Sequence, residues 1–290
     1  MAEMDTKKLS DTRIAIIGLG LMGGSLAMAL HGKCKRLLGV DPNPEIRALA
    51  DEMGIADQIF ELPQQAIPKA ELVILAAPVR KIIRLIEQLP EMHPGSAIVM
   101  DIGSTKAVIM AAMAALPDRF DPIGGHPMAG KERASLLNAE AELYRGATFV
   151  LTALDRSSSQ ARGLALEIVQ AVGAVPLWLT ADIHDHWVSA TSHLPYLVSN
   201  ALAAVTPLEA VPLVGPGFRS TARLAPSTLE MMLDILATNR SNLLANVACY
   251  RQRIEALEAA LEAEDSQGIT RLLIEGSDSY NNLVRHQEGH

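Results

Sequence analysis

The side chain best suited to moving a proton in this sequence is His126. It lies in PIGGHPMAGKE, residues 122–132, where Gly124, Gly125 and Pro127 flank it. A neutral imidazole, with an ordinary pKa of about 6.5, can take a proton from an alcohol at neutral pH. We therefore predict a loop with a restricted backbone that holds a catalytic imidazole. A structural or exposed histidine is the alternative interpretation.

Two arginines four residues apart are candidates for binding an anion. Arg219 and Arg223 follow a Gly-Pro turn in GPGFRSTARLA, residues 215–225. The planar guanidinium group binds both oxygens of a carboxylate through parallel hydrogen bonds, which suits a carboxylate substrate. Ordinary surface arginines are the alternative.

A third set of polar residues lies in ADIHDHWVSATSHLPY, residues 181–196. His186, Ser189 and His193 recur at i, i+3 and i+7, so a regular helix places them on one face. A solvated polar stripe is the alternative. His184 and His186 with Asp182 and Asp185 also raise the question of a metal ion, but alternate positions on a helix diverge, and we predict no metal.

A glycine-rich turn predicts the kind of cofactor near which these groups act. In RIAIIGLGLMGGSLAMAL, residues 13–30, an apolar strand runs into Gly18-x-Gly20-x-x-Gly23 and then into a helix. Gly18 permits the tight turn, Gly20 lets the backbone approach a pyrophosphate, and Gly23 lets the helix pack closely on the strand. The motif predicts a dinucleotide site; a βα turn that only packs is the alternative.

The type of dinucleotide follows from the next strand. RLLGVD ends in Asp41, where a carboxylate accepts hydrogen bonds from the ribose hydroxyls and repels a 2′-phosphate, so NAD is favoured. Arg47 keeps NADP possible. Ser104 at a helix start, either donating a hydrogen bond or capping the helix, and small residues before Pro78 suit the nicotinamide half. The predicted cofactor-binding residues are Gly18, Gly20, Leu21, Met22, Gly23, Asp41, Ala77, Pro78 and Ser104.

The elements that position these residues divide the chain in two. Strand-like and helix-like runs alternate up to residue 180, which predicts an α/β Rossmann-type domain with a parallel sheet over residues 1–180. Residues 181–290 show only helical periodicity, which predicts an all-α domain. Its Ala- and Met-rich faces predict a homodimer through this half, and internal packing is the alternative.

Composition excludes several function classes. The chain has 290 residues, 49% of them apolar, a formal charge of −8 and only 3% aromatic residues. This composition predicts no nucleic-acid binding. No apolar run approaches the ~20 residues of a membrane span, and we expect a cytoplasmic protein without a membrane partner. Cys34 and Cys249 are predicted to be reduced thiols.

Five segments together resemble one enzyme family. GLGLMGGSLA, DIGSTK, GGHPMAGKE, HDHWVSATSHLPYLVSNAL and GFRSTAR occur in the order and spacing found in the prephenate and arogenate dehydrogenases of tyrosine biosynthesis. The resemblance spans nearly the whole chain. It implies a Rossmann domain, a helical dimerisation domain and a cleft between them that binds a small-molecule substrate.

The resemblance also implies individual roles. His126 matches the histidine that hydrogen-bonds the substrate ring hydroxyl, and Ser104 the serine that aligns both groups. Arg223 matches the arginine that recognises a substrate carboxylate. The other substrate-binding residues implied are His193, Ser189, Lys131 and Glu132. We expect His126 and Arg223 to face each other across a crevice floored by the nicotinamide ring.

This sequence departs from the family pattern at two places. Ser220 stands where the family often has Asp, which removes an ion-pair partner for Arg223, and MMLDI replaces a segment that often contains Trp. The first departure puts any gating role of that ion pair in doubt.

The activity implied is oxidative decarboxylation of prephenate to 4-hydroxyphenylpyruvate, with hydride transfer to NAD. The sequence leaves arogenate open as the substrate, and it leaves feedback inhibition by tyrosine undecided. A β-hydroxyacid dehydrogenase needs a catalytic lysine in its helical half, yet no lysine follows Lys131. A non-catalytic nucleotide sensor is disfavoured because His126, Ser104 and Arg223 are all present.

Overall fold

A computed structural model describes residues 7–131 and 135–288 of the protein. The described part of the chain divides into two compact units, one that ends at Arg240 and one that begins at Ser241. The strands of the described part are β1 Arg13–Ile17, β2 Arg36–Val40, β3 Gln58–Phe60, β4 Leu72–Leu75, β5 Ala97–Asp101, β6 Phe120–Pro127, β7 Thr148–Ala153 and β8 Val175–Trp178.

All these strands belong to one sheet with the order β3-β2-β1-β4-β5-β6-β7-β8. Every neighbouring pair is parallel except β6 and β7, which are antiparallel. The strand order reverses between β1 and β4, and ligands of such sheets bind outside the carboxyl ends of the strands at this point. The predicted Rossmann-type fold is confirmed.

The helices of the described part are α1 Leu21–Leu30, α2 Pro44–Glu52, α3 Pro63–Ala66, α4 Val79–Met92, α5 Ala107–Ala114 and α6 Ser159–Ala171, and after the sheet come α7 Ala181–Val188, α8 Leu194–Val205, α9 Pro216–Thr221, α10 Leu229–Thr238, α11 Arg240–Glu262 and α12 Ser266–Glu288. Helices α1, α2 and α6 pack in the core on one face of the sheet, and α3, α4 and α5 pack in the core on the other. Successive residues of β1 point into opposite cores: Ile14 and Ile16 pack with α1 and α6, and Ala15 and Ile17 pack with α4 and α5. This is why the central strands are apolar throughout.

His126 lies on a strand, so the predicted loop is wrong. Residues 120–123 of β6 pair with β5, and residues 123–127 pair with β7, with His126 opposite Val150. The flanking glycines are required by close packing. A Cβ on Gly124 would lie 2.6 Å from Met110 Sδ, and one on Gly125 would lie 2.8 Å from the Asp101 carbonyl oxygen. The strand therefore holds the imidazole more firmly than a loop would.

A widened helical turn after residue 180 bears on the site. Residues Ser189–His193 form a π-helical turn between α7 and α8, a feature frequent at functional sites. The wider turn changes the angular position of His193 relative to residues of α7. Ser189 and His193 are buried, whereas His186 is exposed. The predicted common face of these three residues is therefore wrong for His186.

The second unit consists of α11, from Ser241 onward, and α12. Arg253 of α11 donates hydrogen bonds to Glu275 and to the Leu272 carbonyl of α12. Among the described residues, no helix has the combination of length and apolar character that a bilayer crossing requires.

Candidate active site

Four segments meet at the carboxyl edge of the sheet because β1, β4, β5 and β6 run in the same direction. The glycine turn follows β1, Ala77 and Pro78 follow β4, and Ser104 follows β5. His126 is near the end of β6. The structure thus brings the predicted cofactor residues and the predicted proton acceptor to one edge.

The glycine turn has the local geometry of a dinucleotide site. Gly18 has φ of 102°, and a Cβ there would lie 2.2 Å from the Ala76 carbonyl oxygen. A Cβ on Gly23 would lie 1.9 Å from the Gly18 carbonyl oxygen. In contrast, a Cβ on Gly20 would meet nothing within 4 Å. The backbone at Gly20, which begins α1, is therefore open to a pyrophosphate at the positive end of the helix.

Asp41 follows β2 and is fixed beside this turn. One carboxylate oxygen accepts the N–H of Leu19 at 2.9 Å, and the other accepts the N–H of Asn43 at 2.9 Å. Arg47 donates to the carbonyl oxygens of Asp41 and Pro42 at 3.0 and 2.8 Å. Two backbone donors thus orient the carboxylate, while Arg47 is held on neighbouring main chain.

His126 is the end of a hydrogen-bonded network of side chains. His126 Nδ1 lies 2.8 Å from His184 Nε2, and His184 Nδ1 lies 2.7 Å from Asp185 Oδ1. The two imidazole rings meet edge to face. His184 and Asp185 are buried on α7, and His126 is half-buried. We call these three residues the histidine–aspartate network.

Asp185 also caps another helix. Its two carboxylate oxygens accept the backbone N–H groups of Lys106 and Ala107, at 2.7 and 2.9 Å, where α5 begins. Burial favours protonation of Asp185, but the hydrogen bond from His184 and these two amides outweigh it and hold the pKa of this carboxyl below its ordinary value. Asp185 is therefore an anion that accepts hydrogen bonds only.

His193 is anchored through Asn239, which follows α10. Asn239 Nδ2 donates to the Asp185 carbonyl oxygen at 2.6 Å and lies 3.3 Å from His193 Nδ1. An amide nitrogen facing a carbonyl oxygen can only donate, so His193 Nδ1 accepts and the neutral ring carries its proton on Nε2. Burial lowers the pKa of His193 to about 4.

A buried ion pair contributes to the electrostatic surroundings of His126. Lys106 Nζ contacts Asp101 Oδ2, and both side chains are fully buried. Burial raises the pKa of Asp101 and lowers that of Lys106, and their mutual attraction opposes both changes. Burial, together with the nearby His184, Lys106 and His193, holds the pKa of His126 well below its ordinary value. The imidazole is therefore neutral at pH 7.

The remaining predicted residues are placed as follows. Ser104 is half-buried in the turn before α5 and does not cap that helix, since Asp185 does. Arg223 is exposed after α9, in a segment tied to α8 by Ser199 on the Thr221 carbonyl and Asn200 on the Ala225 carbonyl. Its position opposite His126 stays a prediction.

Three further residues were expected near the substrate or near Arg223. Lys131 bonds to the Asn138 carbonyl at 2.9 Å and pairs with Glu140 at 3.0 Å. Glu132 lies outside the described residues. Ser220, which replaces the family's usual Asp, donates to the Gly217 carbonyl within its own helix.

Sequence reasoning missed the residues behind the predicted histidine. His184 and Asp185 were considered only as metal ligands, and Asn239 was not considered. The available signal was the His-Asp pair at the start of a helix that also carries Ser189 and His193. Their role depends on contacts across 58 and 79 residues of sequence, which local spacing does not reveal.

The fold and this site define a class, the Rossmann-type nucleotide-binding oxidoreductases with a helical C-terminal region. The family model described as "Prephenate dehydrogenase, nucleotide-binding domain" matches residues 26–177, and "Prephenate dehydrogenase, dimerization domain" matches residues 180–275. The chain belongs to the prephenate dehydrogenase family, as its sequence motifs predicted.

Individual relatives agree with this assignment. Prephenate dehydrogenase from Bacillus subtilis is 30% identical over 97% of this chain and 78% of that protein. The crystal structure of Aquifex aeolicus prephenate dehydrogenase in complex with hydroxyphenyl propionate and NAD+ has a TM-score of 0.85 and 26% identity, covering 96% of this chain and 100% of that one. The Synechocystis arogenate dehydrogenase structure has a TM-score of 0.78 and 28% identity, covering 93% and 99%.

Proposed function

We propose that the protein oxidises and decarboxylates prephenate to 4-hydroxyphenylpyruvate, with NAD as hydride acceptor. The observation that carries this proposal is the neutral His126, held by His184 at the sheet edge where the dinucleotide turn also ends. The Aquifex enzyme, which was crystallised in complex with NAD+ and a hydroxyphenyl acid, supports the same cofactor and an aromatic product.

The residues present fit a dinucleotide. The open backbone at Gly20 and the amides of Leu21 and Met22 would hold the pyrophosphate, and Asp41 would accept hydrogen bonds from the ribose. Gly18 and Gly23 shape this turn, and Ala77, Pro78 and Ser104 would border the nicotinamide. Bound NAD+ supplies the acceptor for the hydride that leaves the ring carbinol carbon.

The protein's own groups bind the substrate and move one proton. His126 would accept the proton of the ring hydroxyl as the C–H bond breaks, with Ser104 aligning both groups. Cleavage of the bond to the ring carboxylate releases carbon dioxide, and its electron pair completes the aromatic ring. The proton on His126 then returns to the phenolic oxygen, so one hydride and one carbon dioxide are the net losses.

We assign recognition of the two carboxylates and the side-chain keto group to the helical region and to the segment that follows β6. Arg223 suits the carboxylate, while His193, with its proton on Nε2, suits a carbonyl oxygen. Ser189, Lys131 and Glu132 complete the proposed set. Arogenate carries an ammonium group in place of the keto oxygen, and the similarity to the Synechocystis arogenate dehydrogenase keeps it as the second candidate substrate.

We also infer a domain boundary at 180/181 and a homodimer. The two family models meet between residues 177 and 180, although compact packing divides the chain after residue 240. The second model is described as a dimerization domain. In the second unit the exposed large apolar side chains are Leu244, Tyr250, Ile254, Leu261, Leu273, Ile274, Tyr280 and Leu283. A second copy would cover them. A cytoplasmic location remains part of the proposal.

The deciding experiment is an assay of the purified protein with prephenate or arogenate, each with NAD or NADP, followed at the nicotinamide absorbance. We expect prephenate with NAD to give the highest kcat/KM. His126→Asn should lower kcat by roughly 10²- to 10⁴-fold with NAD affinity near that of the wild type. Absence of turnover with both substrates contradicts the proposal, and full activity of His126→Asn removes this residue from the mechanism.

A further inference from the structure

We propose that His184 and Asp185 are positioning residues that fix the tautomer of His126, so that its Nε2 atom is the proton acceptor. This inference rests on the proposed function of His126. It concerns how the imidazole is prepared for the reaction rather than which substrate binds. Only a histidine whose Nε2 lacks a proton can accept one at that atom.

Asp185 determines which atom donates in each hydrogen bond of the histidine–aspartate network. Both of its carboxylate oxygens already accept backbone N–H groups, from Lys106 and Ala107 at the positive end of α5. These donors stabilise the anion, which has no proton to give. His184 Nδ1, 2.7 Å from Asp185 Oδ1, must therefore be the donor in that contact.

The protonation of His184 then determines which atom donates in its hydrogen bond with His126. A neutral His184 with its proton on Nδ1 has a bare Nε2, which can only accept. His126 Nδ1 lies 2.8 Å from that atom and must donate to it. A neutral His126 with its proton on Nδ1 leaves Nε2 bare, and within the described residues this atom makes no hydrogen bond. It is therefore available to a substrate hydroxyl.

The same network prepares the site for the charge that forms. When His126 takes a proton, the imidazolium keeps its Nδ1 hydrogen bond to His184, and the Asp185 anion lies beyond that ring. A buried carboxylate that orients a histidine and stabilises its charged form has the same role in serine hydrolases. The other charged or titratable groups near His126 are His193 and Lys106, and Lys106 is paired with Asp101.

One alternative protonation state would reverse the last bond. A doubly protonated His184 would donate from Nε2 to His126 Nδ1, so that His126 carried its proton on Nε2. His126 could then donate to a substrate but not accept from it. The two states differ in which nitrogen of His126 holds hydrogen, and this is directly measurable.

The first test is nitrogen NMR of the wild-type protein with ¹⁵N-labelled histidine, using His126→Asn to identify the His126 signals. We expect a protonated Nδ1 and an unprotonated Nε2 at pH 7. A proton on Nε2 overturns the proposal. This readout needs no substrate, so it stands even if prephenate is not turned over.

The second test compares substitutions at two histidines of α7. His184→Leu removes the acceptor for His126 Nδ1, whereas the side-chain oxygen of His184→Gln can replace it. We expect His184→Leu to lower kcat about 10²-fold, with KM values changed less than about threefold. We expect the kcat of His184→Gln to be at least about tenfold higher than that of His184→Leu. His186→Leu is the matched control, since His186 is exposed on the same helix.

The outcomes separate the possible failures. Wild-type kcat in His184→Leu, or equal losses in His184→Leu and His184→Gln, contradicts a positioning role. A role in stability alone would lower the unfolding temperature without moving the His126 proton to Nε2. If wild-type protein shows the expected tautomer but reduces no NAD with prephenate or arogenate, the proposed function fails and the positioning of His126 does not.

Discussion

The neutral state of His126 sets the pH range in which the proposed reaction runs. Burial and the neighbouring His184 and Lys106 lower its pKa, so the proton-accepting form persists below pH ~6.5 and is lost only as pH falls through the lowered value. Asp185 stays ionised over the same range because its own pKa is also lowered.

We therefore expect kcat/KM to be constant from about pH 8 to 6.5 and to fall in a more acidic range. The measurement is a pH–rate profile under conditions where a primary isotope effect shows that chemistry is limiting. Protein stability over the same range is the control, because acid unfolding would also reduce the rate. An acidic limb centred at or above pH ~6.5 contradicts the assignment.

Cofactor choice is a second property of single residues. Asp41→Asn keeps the size of the side chain and an acceptor for one of the two backbone amides, but removes the charge that would repel a 2′-phosphate. We expect the ratio of kcat/KM for NAD to that for NADP to fall at least about tenfold, because the substitution removes the repulsion between the Asp41 carboxylate and the 2′-phosphate of NADP. Asp118→Asn, at an exposed position remote in sequence from the turn, serves as the control. An unchanged ratio contradicts the proposed role of Asp41.

Where a motif fixed the surroundings of a residue, its place at the carboxyl edge of the sheet was predictable. Asp41 followed from its distance to the glycine turn, and His126 from its chemistry and neighbours. The place of His184 was not, because an HDH triplet on a helix does not show which histidine is buried. The fold buries His184 and exposes His186, so their functions separate only in three dimensions.

At the scale of elements, the turn between β5 and α5 depends on the buried pair of Lys106 and Asp101. Lys106→Met would leave the Asp101 carboxylate buried without its cation. We expect the free energy of unfolding to decrease by about 3–5 kcal/mol, measured by urea denaturation. Lys7→Met, which breaks a partly exposed pair with Glu71, should change it by less than about 1 kcal/mol. Equal effects of the two substitutions would contradict a structural role for the buried pair.

Most elements followed from apolar periodicity, and the exceptions have physical causes. β6 was missed because Pro122, Gly124, Gly125 and Pro127 have low strand propensity, yet packing against Met110 and the backbone of Asp101 requires small residues there. β3 was missed because a strand of only three residues is too short to show apolar periodicity. The π-helical turn was not predictable because no residue type in the sequence marks it. The widened turn nevertheless changes the angular position, around the helix axis, of every residue that follows it.

At the scale of the whole molecule, the exposed apolar side chains of the second unit predict the assembly. Leu273 of α12 is 60% exposed. If it lies in a dimer interface, Leu273→Glu would bury a charge without a partner. We expect the dimer dissociation constant to rise at least about hundredfold, measured by sedimentation velocity.

A control within the same helix separates position from charge. Asn282 is exposed on the side of α12 away from Leu273, so Asn282→Glu adds the same charge outside the expected interface. We expect its dimer to be as stable as that of the wild type. A monomeric wild-type protein, or equal weakening by both substitutions, contradicts an interface at Leu273.

The cap that Asp185 places on α5 has a consequence for recombining members of this family. A chimaera joined near residue 180 would take the amides of Lys106 and Ala107 from one parent and the carboxylate that binds them from the other. The crossover therefore works only when the incoming helix presents an acid at the same depth, and swapping segments to change substrate preference should begin C-terminal to Asp185.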